Sequence, residues 1–124
     1  MAATAKLYTD PSDISGVILD SVGTQNGITA FSGGGQASAV LLSKNFSRVT
    51  TVAAGNDSVR LPAALAGSRM VVFNKAAANS LNIFPAVGDQ INALGANTAY
   101  ALVVTKGVEF ICMVAGTWDT ILTA

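Results

Sequence analysis

Val108-Glu109-Phe110-Ile111-Cys112-Met113-Val114-Ala115-Gly116-Thr117-Trp118 is the stretch that decides the fold. Val108, Phe110, Cys112 and Val114 alternate with Glu109, Ile111 and Met113. That period of two sends successive side chains to opposite faces of a β-strand. Ala115-Gly116-Thr117 then turns the chain into a last strand, Trp118 to Leu122. On the upstream side, Tyr100 to Thr105 and Val108 to Ala115 flank Lys106-Gly107 and read as a hairpin.

The same reading extends backwards. Leu81, Ile83 and Pro85 share one face of a strand, with Asn82 and Phe84 on the other, and Gly88-Asp89 turns the chain. Arg69 to Asn74 alternates less cleanly, as a strand buried on both faces does. Ala54-Gly55-Asn56-Asp57 is a turn into Ser58-Val59-Arg60-Leu61, and Pro62 ends the pairing. Ala37 to Leu42 and Arg48 to Ala53 are short apolar or β-branched runs bounded by turn residues. Glycines at 55, 67, 88, 95, 107 and 116 space these strands as in a sandwich or small barrel. The expectation is an all-β fold, a short-stranded antiparallel β-sandwich or jelly-roll-like barrel over residues 36–124. The echo between Val52-Ala53-Ala54-Gly55 and Val114-Ala115-Gly116 reads as two hairpins of similar chemistry, and no solenoid or propeller period is visible.

Residues 1–35 read differently, as an extended N-terminal arm. Asp10 caps and Pro11 opens a short helix over 11–21, with Ile14, Val17 and Ile18 at helical spacing. Two readings of this segment stand side by side: an arm that docks on another molecule, and a frayed terminus. Ser32-Gly33-Gly34-Gly35 is read as a hinge, since it lacks the lysine and hydroxyl residue of a phosphate loop.

Composition narrows the chemistry. The chain has 124 residues, no histidine, one cysteine, and seven cations balanced by seven anions. Charged residues are 11% of the chain, against roughly 25% in an average soluble domain. A folded chain of 12.5 kDa exposes about 6,200 Å². That surface carries about one charge per 440 Å², so much of it is expected to be committed to subunit contacts, which are poor in charge. Nothing in the charge balance marks a nucleic-acid partner. No run approaches the ~18 apolar residues of a membrane span, and the N-terminus lacks a signal-peptide pattern. Synthesis in a reducing cytoplasm is expected, and the sequons at Asn45 and Asn56 are read as coincidental.

Catalytic triads, Cys–His pairs and histidine zinc sites are excluded by composition. The carboxylates are Asp10, Asp13, Asp20, Asp57, Asp89, Glu109 and Asp119, of which Asp57, Asp89 and Asp119 sit in or beside turns. Turn aspartates commonly satisfy their own backbone. Cys112 is read as a buried core thiol, and calcium binding lacks a dense run of oxygen ligands. Phe73, Phe84, Tyr100 and Phe110 are read as core, with Trp118 half-exposed beside the last turn. No enzyme, cofactor or metal is expected.

Three stretches carry a resemblance: Val49 to Pro62; Val71-Val72-Phe73-Asn74 with Asn79 to Pro85 and Gly88 to Asn92; and Phe110 to Trp118. Together they resemble the small structural proteins of tailed bacteriophages that decorate or cement the head. The resemblance covers about residues 48–122, and the same pattern also occurs in phage fibre-associated proteins. It implies a trimeric β-sandwich or jelly-roll subunit at three-fold or quasi-three-fold positions on the capsid surface of a virion. There it clamps neighbouring major capsid protein subunits, without catalysis, nucleic acid or membrane. Tyr8, Ile14, Val17, Ile18 and Phe31 are the residues assigned to capsid or neighbour-subunit contact. Two other readings stay open: a phage fibre, tail or receptor-binding β-module, and a free carbohydrate-binding β-domain.

Overall fold

A computed structural model describes residues 23–33 and 35–123. The described residues form ten strands: β1 (Thr24–Thr29), β2 (Val40–Leu41), β3 (Phe46–Thr51), β4 (Ser58–Arg60), β5 (Arg69–Asn74), β6 (Leu81–Phe84), β7 (Gln90–Ile91), β8 (Tyr100–Leu102), β9 (Gly107–Val114) and β10 (Thr117–Leu122). One short 3-10 turn, Gln36–Ser38, precedes β2. Among the described residues there is no α-helix.

The chain alternates between two sheets. The larger has the order β1-β3-β5-β9-β10-β7 and the smaller β2-β4-β6-β8. Each strand of the first half crosses to the other sheet, so the next strand to return arrives parallel to its predecessor. β1, β3 and β5 pair in parallel, as do β2, β4 and β6. One coil carries Phe46 onto Val71 and Val59 onto Ile83. This is a short two-sheet solenoid, followed beyond its last coil by antiparallel β9 and β10 in the larger sheet and by antiparallel β8 in the smaller.

One core lies between the sheets. Val49, Val72, Val108, Phe110 and Trp118 enter it from the larger sheet, and Val59, Leu81, Ile83 and Leu102 from the smaller. Each is fully or almost fully buried, worth about 1.5–3 kcal/mol apiece relative to exposure. Phe110 bridges Tyr100 and Trp118 edge-on, at centroid distances of 5.8 and 6.3 Å.

Polar side chains stitch the coil turns where no ladder reaches. The buried Asp57 carboxylate accepts the amides of Ala53 (2.9 Å), Ala54 (3.2 Å) and Gly33 (3.1 Å). Buried Asn74 donates to the carbonyls of Asn79 and Leu102 and accepts from the Ala76 amide. Asn79, in the left-handed region at φ 77°, donates onward to Val52 and Ala53 of the preceding coil.

The all-β class stands, while the antiparallel sandwich or jelly roll gives way to parallel coils in mixed sheets. A solenoid repeat is therefore present although no fixed period shows in the sequence. Tyr100 to Thr105 and Val108 to Ala115 do not form a hairpin: β8 pairs with β6 and β9 with β5, in different sheets. The turn at Ala54–Asp57 likewise links two sheets, whereas the one at Ala115-Gly116 is a true hairpin between β9 and β10. β5 buries Met70, Val72 and Asn74 and turns Arg69, Val71 and Phe73 outward, so it is not buried on both faces. β1 falls inside the stretch assigned to the arm, and Ile28 and Ala30 sit in the core. The helix expected over 11–21 lies outside the described residues.

Candidate functional site

The alternation that buries one face of the larger sheet leaves the other bare. Outward positions on β3 are Phe46 and Arg48, on β5 Arg69, Val71 and Phe73, on β9 Glu109 and Ile111, and on β10 Asp119 and Ile121. The register aligns Thr24, Phe46, Val71, Glu109 and Ile121 in one row across five strands. Two shallow depressions of about 180 and 360 Å³ share Phe46, Val71 and Phe73 in their floors. Phe46 is 38% exposed and Ile121 59%.

Gly107 makes the face continuous. Phe73 pairs with it, and the Phe73 ring lies over it so closely that a Cβ there would come within 2.5 Å of the ring. An aromatic ring laid over a strand glycine covers backbone that would otherwise be open. The Lys75 ammonium sits 5.6 Å from the same ring's centroid.

Charge on this face is sorted by strand. Arg48 and Arg69 stand on β3 and β5, and Glu109 and Asp119 on β9 and β10. Arg69 and Glu109 form an ion pair across the β5–β9 seam. On one flank Arg48 donates to the Asn26 amide oxygen at 3.0 Å, and on the other Asp119 is exposed.

A second apolar surface lies at one end of the strands. The Gly67 amide donates to the Cys112 carbonyl, Gly116 to Ala64 and Gln90 to Gly116. The Asp89 carboxylate accepts the Ala64 amide at 2.8 Å. These bonds gather the loops that carry Leu65 and Val87 beside the end of β9, where Met113 and Val114 lie, and all four are 64–75% exposed.

The residues singled out from the sequence fall as follows. Tyr8, Ile14, Val17 and Ile18 lie outside the described residues. Phe31 is described and is 43% exposed; it exchanges both backbone hydrogen bonds with Ser58 at the end of the strands opposite Met113. Trp118 is fully buried against Phe110, not half-exposed, because the β10 register turns it inward. Its indole N–H has no hydrogen-bond partner among the described residues. Tyr100 packs on the core by its edge contact with Phe110. Cys112 is buried, with its thiol 3.2 Å from the Val114 carbonyl. Asp57 and Asp89 hold backbone amides, as turn aspartates do, but the partners include chain segments far away in sequence. Among the described residues no three His, Cys, Asp or Glu side chains gather in one place.

Sequence reading missed both surfaces. The face was readable in part, since the alternation of β9 names Glu109 and Ile111 as partners on one side. Its extent depends on the parallel pairing of β1, β3 and β5, which leaves no local signal. Comparison of the chain with family models, with curated proteins and with solved structures finds no match in any of the three.

Proposed function

We propose that this chain is a structural virion protein that decorates a bacteriophage capsid. In this reading it binds between major capsid protein subunits as a trimer at three-fold positions and stabilises the expanded lattice. The observation that carries the reading is the pair of separate apolar surfaces on a chain so poor in charge. One surface is broad and suits neighbouring copies; the other is a compact apolar end that suits a lattice. Solitary soluble proteins seldom expose apolar patches of this kind without a partner. A ligand that binds only the mature lattice stabilises that state by mass action, and symmetry multiplies modest contacts into avidity. The role calls for no catalysis.

For the carbohydrate-binding alternative, Trp118 is buried and Tyr100 packs on the core, while Phe46 and Phe73 are the rings on the outer face. The fibre or tail alternative keeps one observation in its favour, the stacked parallel coils, which suit an elongated virion part.

The test is co-sedimentation of the purified protein with undecorated expanded capsids and with unexpanded ones. Binding to expanded capsids alone, with greater resistance to heat, is the expected result; no binding to either sinks the reading. Met113→Asp at the apolar end is expected to abolish that binding. Phe31→Asp, at the opposite end, is expected to weaken it far less, and the reverse order would move the capsid contact to the Phe31 end.

A further inference from the structure

We infer that the outer face of the larger sheet is the surface through which copies of this chain bind one another. The β3–β5 half of one copy packs against the β9–β10 half of the next, about an axis parallel to the strands. The inference deepens the trimer reading above and rests on it for the number of copies.

Three observations select a second copy as the occupant. The first is charge. Arg48 and Arg69 stand on β3 and β5 and Glu109 and Asp119 on β9 and β10; Arg69 and Glu109 pair within one copy, which leaves Arg48 and Asp119 as opposite charges on the two halves. Arg69 and Asp119 share one row on opposite halves, so a second copy turned about the strand direction brings its Asp119 to this copy's Arg69, opposite in sign. An acidic or a basic partner would match one half and oppose the other, and like-charge juxtaposition is strongly unfavourable across an interface.

The second is register. Phe46 and Ile121 occupy the same row across the sheet, on opposite halves. Rotation about an axis parallel to the strands keeps each row at its own height. It therefore brings Phe46 of one copy against Ile121 of the next, apolar on apolar. A cyclic arrangement closes on itself and leaves no half-face bare, which an open-ended stack would.

The third is scale. Five strands spaced about 4.8 Å apart and six residues long at about 3.3 Å each span about 24 by 20 Å. That is of order 500 Å² in projection, divided between two neighbours at about 250 Å² each, a contact well below the ~800 Å² per partner of a standard interface and one that depends on ring closure holding each copy twice. The depressions on the face are shallow, so it fits a subunit surface better than an enclosed ligand site. With the axis along the strands, the end bearing Leu65, Val87, Met113 and Val114 points along that axis, where three copies would meet a lattice three-fold together.

Phe46→Cys with Ile121→Cys in one chain tests the contact, the native Cys112 being buried. Under mild oxidation the double variant is expected to form covalent trimers on a non-reducing gel, while each single variant does not. Ile121→Asp is expected to convert the native oligomer, near three times the 12.5 kDa chain mass, to monomer by light scattering. Its Trp118 fluorescence should stay native, since Ile121 is exposed. An oligomer that survives Ile121→Asp, or a double variant that stays uncross-linked, overturns this face and leaves the trimer reading intact. A wild-type monomer at tens of micromolar overturns both, and capsid co-sedimentation then decides the virion role by itself.

Discussion

Thr105 holds φ 72°, in the left-handed region, without a glycine's freedom. A β-branched residue there is strained, and a non-glycine in this region costs of order 1–3 kcal/mol. Thr105 is exposed, and its amide donates to the Asn74 carbonyl at 2.9 Å, a bond that any non-proline residue keeps. Asparagine tolerates this conformation and adds less unfolded-state entropy than glycine. Thr105→Asn is therefore expected to stabilise the fold by about 1 kcal/mol, read as a higher urea midpoint with unchanged slope. Asp57 is the opposite case, a side chain on which three amides depend. Hydrogen bonds to a charged group contribute about 1.5–3 kcal/mol each, and unpaired donors add their desolvation cost. Asp57→Ala is expected to lower stability by about 3 kcal/mol and Asp57→Asn by less, because the amide keeps one acceptor. Equal losses in urea titration would mean that the acceptor kept by the amide contributes nothing and that the whole effect lies in the carboxylate charge and its second oxygen.

At the scale of elements, strand identity was legible and pairing was not. The alternation in Val108 to Val114 and the pattern Leu81-Asn82-Ile83-Phe84-Pro85 each located a strand and its buried side. The run Arg69 to Asn74 matches β5 residue for residue. Pairing failed because turn chemistry does not distinguish a return within one sheet from a crossing to another. Ala54-Gly55-Asn56-Asp57 and Ala115-Gly116 look alike in sequence, yet Asp57 ties its turn to Gly33 across the coil while Gly116 closes a hairpin. The coils also advance unequally: Val40 lies beside Val59, and Val59 beside Ile83, with loops of different length between. A solenoid with unequal loops leaves no fixed period to detect. Trp118 departs from its half-exposed expectation for a related reason, since proximity to a turn says nothing about which face a strand residue takes. The candidate surfaces were the least legible of all. Phe46, Val71 and Ile121 become one patch only after three strands far apart in sequence are set in register.

For the whole molecule the question is whether so short a solenoid unfolds coil by coil. Long solenoids behave as linear arrays in which each repeat leans only on its neighbours, and their ends open first. Here β9 returns from the end of the chain to pair with β5, and β10 pairs with β7. The closing strands thus bind the last full coil to everything after it. Both sheets also share one core, with Trp118 buried within it. The expected behaviour is a single cooperative transition in which the emission of Trp118, the chain's one tryptophan, and the far-ultraviolet circular dichroism change together. Ellipticity lost before fluorescence would show that β1 and β2 unravel as a separate unit. If copies associate through the sheet face, the midpoint must also rise with protein concentration, because association binds only the folded chain. Ile121→Asp should abolish that rise while the transition remains single. A concentration-independent midpoint in the wild type, measured over a hundredfold range, would mean that the fold stands without its neighbours.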